Sequence, residues 1–153
     1  MMSQAQYPQP EWNTPDSVSK ALEAASNAID KESSQSAYNK LLYAVGNNHA
    51  GTYYPVVLSI FTEIEAILRS GEMWPQHTVI EALIDLFISF VPAPGHKVFC
   101  ERSLSEDLRQ RVIGLKQYFA QIAEGTNVAA TSAKDILRHI NKEAEQVAPS
   151  NVG

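Results

Sequence analysis

Residues 37–91 read AYNKLLYAVGNNHAGTYYPVVLSIFTEIEAILRSGEMWPQHTVIEALIDLFISFV. Val56, Val57, Ile60, Phe61, Ile64, Ile67 and Leu68 recur at the spacing of an amphipathic helix. Tyr54-Pro55 and Trp74-Pro75 each open a helix, because the first-turn N–H groups have no partner inside the helix and proline lacks one. From Trp74 onward the chain is apolar almost all round: Val79, Ile80, Leu83, Ile84, Leu86, Phe87, Ile88, Phe90 and Val91. A helix of that kind is enclosed on several sides, so it is expected at the centre of the fold. Upstream, Ala37, Leu41, Leu42 and Val45 give another helix, and Gly46 suits a left-handed C-terminal position.

The same reading extends to both ends. Thr14-Pro15-Asp16 is a helix start, followed by Val18, Leu22, Ala25 and Ile29 at helical spacing. The polar run Lys31-Glu32-Ser33-Ser34 turns the chain. Pro92-Ala93-Pro94-Gly95 breaks the central helix. Residues 96–102 are unassigned, with Val98 and Phe99 expected on the core. Ser103-Leu104-Ser105-Glu106 matches a capping box, and Ser132-Ala133-Lys134-Asp135 is a weaker one. Helices are therefore predicted near residues 15–31, 35–45, 54–69, 75–91, 104–124 and 132–147, with no strand. The fold class is all-α, about six helices in stacked antiparallel pairs. Residues 1–13, rich in Gln and Pro, read as a mobile tail, 14–148 as one helical domain, and 149–153 as a frayed end.

The chain has 153 residues and a net charge of −5. Residues 1–101 carry 5 basic and 11 acidic groups, and residues 102–153 carry 7 and 6, so the negative charge belongs to the N-terminal two thirds. This argues against a nucleic-acid binder acting by phosphate neutralisation and fits a basic protein partner. A single cysteine, Cys100, forms no internal disulfide, which points to a reducing compartment. With no signal-peptide pattern and no membrane-length apolar run, a cytoplasmic protein is expected.

Three groups of residues have the side chains for chemistry. His77, Glu81 and Asp85 fall at i, i+4 and i+8 on the central helix, where His and Glu could grip a metal. The spacing matches no complete ligand set; a solvated structural stripe on a mostly apolar helix accounts for it better than a metal site, and a partner-binding stripe is the remaining alternative. The loop Asn47–Tyr54 is dense in amides, imidazole and phenols, which suit an interface or an ordinary turn. Cys100 with His96 lacks a third group to orient a nucleophile. No phosphate-binding glycine loop, H-E-x-x-H or G-x-S-x-G motif occurs. The expectation is a non-enzyme with no catalytic residues, no metal and no cofactor.

The runs AYNKLLYAVGNNHAGTYYPVVLSIF and WPQHTVIEALIDLFISFVP resemble small HEAT-like helical immunity proteins of bacterial polymorphic toxin and contact-dependent inhibition systems. The resemblance covers a little over a third of the chain. It implies a protein that binds and neutralises a cognate toxin domain, with a cytoplasm-acting nuclease the expected toxin. Immunity interfaces differ from pair to pair, so no motif carries over residue by residue. The charge distribution then selects Glu63, Glu72, Glu81 and Asp85 as partner-binding candidates, with Asn48, His49 and Tyr53 from the neighbouring loop. A generic helical scaffold, or a subunit of an unrelated complex, fits the same composition. A helical enzyme would require a bound metal or a Glu81-dependent activity.

Overall fold

Asp30 and Ser33 set the first turn of α2 (Lys31–Val45) in the computed structural model, which describes residues 6–147. The Asp30 side chain accepts the Ser33 N–H at 2.7 Å, and Ser33 Oγ accepts the Asp30 N–H at 3.1 Å. The run expected to turn the chain is thus the start of a capped helix. The turn lies earlier, because α1 (Ser17–Ser26) ends five residues before its expected limit. That shift removes Ile29 from the core face of α1, and it is 78% exposed.

The segment after Tyr54 begins as a 3-10 helix, Pro55–Ile60, and continues as α3 (Phe61–Arg69). Pro55, Val56, Val57, Leu58 and Ile60 are all buried, and that crowding on every side accompanies the tighter winding. Gly71, at φ 76°, ends α3 in the left-handed conformation that glycine tolerates. The central helix, α4 (Met73–Ile88), packs against α1, α2, α3, α5 and α7. Val79, Ile80, Ala82 and Leu83 have no solvent exposure.

The helix expected over 104–124 is two helices, α5 (Leu104–Ile113) and α6 (Lys116–Ala123). The break falls at Gly114-Leu115, where glycine weakens the helix and the Leu115 N–H bonds back to Val112 O at 3.0 Å. This bend lets α6 lie along α7 (Val128–Val147). The cap of α7 is Asn127, whose Oδ1 accepts the Ala130 N–H at 2.9 Å. Ser132, read as a cap, lies inside the helix and is buried. Arg109 on α5 forks onto Glu143 of α7, with Nε at 2.7 Å from Oε1, and its guanidinium lies 5.0 Å from the Phe87 ring centre.

Short strand pairs, absent from the sequence reading, close the C-terminal end of α4. β1 (Gly46–Asn47) pairs antiparallel with β2 (Thr52–Tyr53), which pairs parallel with β3 (Val91–Pro92). β4 (Val98–Phe99) and β5 (Arg102–Ser103) form a hairpin. Phe99 packs on the core as expected, but Val98 is 66% exposed. Gly46 is extended at φ −178° rather than left-handed. Its lack of a side chain is needed for another reason: a Cβ there would fall 2.0 Å from Thr52 O.

Residues 6–13, expected to be mobile, are tied down. The Val56 N–H donates to Pro8 O at 3.1 Å, and Asn13 Nδ2 donates to Ala44 O at 2.7 Å. The Trp12 ring stacks on Tyr43 with centroids 5.2 Å apart, and its Nε1–H reaches Tyr43 O at 3.0 Å. Residues 1–5 and the expected fraying at 149–153 lie outside the described residues. No helix of the described residues is long and apolar enough to cross a membrane.

Candidate functional site

Of the stripe His77, Glu81, Asp85, the first two form the floor of a groove between α2 and α7, and Asp85 follows one turn further along α4. On the α2 side a hollow of about 210 Å³ is lined by Lys31, Ser34, Gln35, Tyr38 and Thr78 together with His77 and Glu81. On the α7 side a hollow of about 530 Å³ shares His77 and Glu81 and adds Thr131, Ser132, Lys134, Asp135 and Arg138. All three stripe residues are half-buried.

Each stripe residue is held from a neighbouring helix. Ser132 Oγ on α7 donates to Glu81 Oε2 at 2.8 Å. The same oxygen lies 2.8 Å from His77 Nδ1. A hydroxyl has one proton, so with that proton on Glu81 the serine accepts from His77 Nδ1–H, which fixes the imidazole tautomer. The direction is opposite to that of an activated serine, which must donate to its histidine base. On the other wall, the Tyr38 hydroxyl donates to Asp85 Oδ2. Burial, that bond and the nearby charges of Asp85 and Glu81 push the Tyr38 phenol well above its ordinary value. Ser34 and Thr78, both buried, bond each other at 2.6 Å between α2 and α4. Thr78 also donates to Trp74 O at 2.7 Å.

Glu81 Oε1 and Asp85 Oδ1 have no hydrogen bond within the described residues, and neither carboxylate is in a described ion pair. The groove is nonetheless not purely acidic. Lys31, Lys134 and Arg138 reach its walls, although Arg138 is paired with Asp135. Among the described residues, no three His, Cys, Asp or Glu side chains gather in a way that could hold a metal ion.

The remaining candidates lie elsewhere. Glu63 is exposed on α3, and Glu72 is exposed just before α4, beside Ile29 and Trp74. No described contact joins Glu63 to the groove. Glu65, two residues on and so on another face of α3, is taken by the Tyr118 hydroxyl at 2.5 Å. In the β1–β2 loop, Asn47 Oδ1 accepts the N–H groups of His49 and Ala50 at 3.0 and 3.1 Å, leaving the His49 ring exposed. Asn48 is partly buried, and its Oδ1 lacks a hydrogen-bond partner. Tyr53 is corrected: it is 2% exposed, a core residue rather than a contact surface, because its strand pairs on both sides. Burial raises its phenol to about 12, with the charge of Arg109 pulling the other way.

The sequence reading missed Ser132 and Tyr38, the two hydroxyls that position the stripe. Ser132 was concealed by its resemblance to a capping box. Tyr38 gave a usable signal, because it sits at the position following Ala37 on the edge of the α2 apolar face.

Compared with models of known protein families, with curated proteins and with solved structures, the chain has no match.

Proposed function

We propose that this chain is an immunity protein that binds a cognate bacterial toxin domain and blocks it, and that the toxin is a basic, cytoplasm-acting nuclease. One observation carries the reading. Glu81 on the floor of the groove and Asp85 one turn beyond it each have one oxygen fixed by a hydroxyl from a flanking helix and the other oxygen uncommitted. Carboxylates held in this way suit lysine and arginine side chains of a basic surface, since little side-chain ordering remains to be done on binding. The negative N-terminal two thirds would speed the encounter, and the fixed carboxylates would set the register.

The test is to search the genes neighbouring this chain's for a toxin domain and to co-express the two. Restored growth together with a stoichiometric complex on gel filtration is the expected result. Undiminished toxicity in the presence of the folded protein would overturn the proposal.

A further inference from the structure

Ile29, at 78%, is the most exposed large apolar side chain among the described residues. One exposed isoleucine needs no explanation by itself. This one is held rigidly where the fold makes no use of it. Its N–H donates to Ser33 Oγ at 2.9 Å, so the α2 cap fixes its backbone. At the residue before a helix cap, an apolar side chain ordinarily packs against the fourth residue of the helix. That residue here is Ser34, which is turned inward onto Thr78. Ile29 therefore has no such partner. It stands instead on the rim of an open notch of about 450 Å³, lined also by Asn27, Glu72, Met73, Trp74 and Pro75.

The charges around the notch are acidic. Glu72 lines the notch, and the exposed Asp30, whose carboxylate caps α2, follows Ile29 in the chain; neither is in a described ion pair. Lys31 lines the α2–α4 hollow instead. Trp74 is half-buried, and its ring meets that of His77, a groove residue, edge-on at 5.6 Å. Aromatic faces attract cations as well as apolar groups.

From these features we infer that the notch is the anchor point of the interface, and that it takes an apolar side chain flanked by lysine or arginine on the protein partner. This rests on the proposed toxin-binding role for the identity of the partner, but not for the chemistry of the site. An apolar anchor seated in a pocket is where few residues dominate binding, and the acid beside this one favours a basic flank on the partner.

The test uses two short amphipathic probe peptides, one of leucine and lysine and one of leucine and glutamate, titrated into isotope-labelled protein and followed by NMR. The leucine–lysine peptide should shift Ile29, Met73 and Trp74 first, and Ile29→Ser should weaken it about tenfold with unchanged thermal stability. Equal binding of the leucine–glutamate peptide, shifts centred elsewhere, or an unaffected Ile29→Ser variant would overturn the inference. So would concentration-dependent dimerisation abolished by Ile29→Ser, which would make a second copy the occupant. The two proposals fail separately. A toxin that binds wild type and Ile29→Ser equally removes the anchor alone, whereas peptide binding at the notch without a toxin partner removes the immunity role alone.

Discussion

Gly46 shows how one residue can be indispensable for a reason its backbone angles conceal. Its conformation is open to any amino acid, but Thr52 O occupies the place of a side chain. Gly46→Ala must push β1 from β2 and is expected to cost about 1–3 kcal/mol, as overpacking does. Urea unfolding of the variant checks this, and wild-type stability would refute the close approach. Tyr38 and Tyr53 give a second residue-scale expectation. Both folded phenols hold their protons above the ordinary value of 10.0. Above that pH the unfolded chain loses protons that the native one keeps, so stability must fall as pH rises. The loss begins near pH 10 and for Tyr53 continues to about pH 12. Each tyrosine adds at most about 1.4 kcal/mol per pH unit. Unfolding measured across this range should show a flatter decline in Tyr53→Phe than in wild type.

At the scale of the element, α4 was legible because its apolar residues leave no wide polar face, and a helix of that composition has to be surrounded. Leu83→Ala should cost about 2–5 kcal/mol, the range for a fully buried leucine, by thermal or chemical unfolding. The limits of other helices were less legible, since apolar spacing does not say which of two nearby polar runs caps and which turns. Asp30 and Asn127 cap, with Ser33 returning the Asp30 bond, whereas Ser132 faces inward. The β4–β5 hairpin was not legible at all. Its turn residues Cys100 and Glu101 have φ of 52° and 63°, where glycine or asparagine is usual. The left-handed region disfavours side chains by roughly 1–2 kcal/mol per residue, an amount partly offset by the greater freedom glycine gives the unfolded chain. Glu101→Gly should therefore raise stability by about 1 kcal/mol. A lowered melting temperature in that variant would show that the Glu101 side chain contributes more than its backbone conformation costs.

Across the whole molecule, the acids selected from the sequence divide into two kinds. Glu81 in the groove and Asp85 one turn beyond it are fixed by Ser132 and Tyr38, contacts that join residues 51 and 47 positions apart and leave no local pattern. Glu63 and Glu72 are exposed on the surface outside it. The sequence showed that acids outnumber bases in this region, but not that Lys31 and Lys134 return to the groove walls through folding. The two kinds of acid should act differently on binding. Surface charges govern encounter and are screened by salt over about 8 Å at physiological ionic strength. Fixed groove carboxylates govern dissociation. For the proposed toxin-binding role, the most direct measurement is the association rate with the proposed partner as a function of ionic strength, for wild type and for the Glu63→Lys, Glu72→Lys double variant. Toxin binding steered by this acidic region requires a wild-type rate that falls steeply with salt, and a double variant that is slower at low salt and less salt-sensitive. Identical rates and identical salt dependence in the two proteins would contradict it.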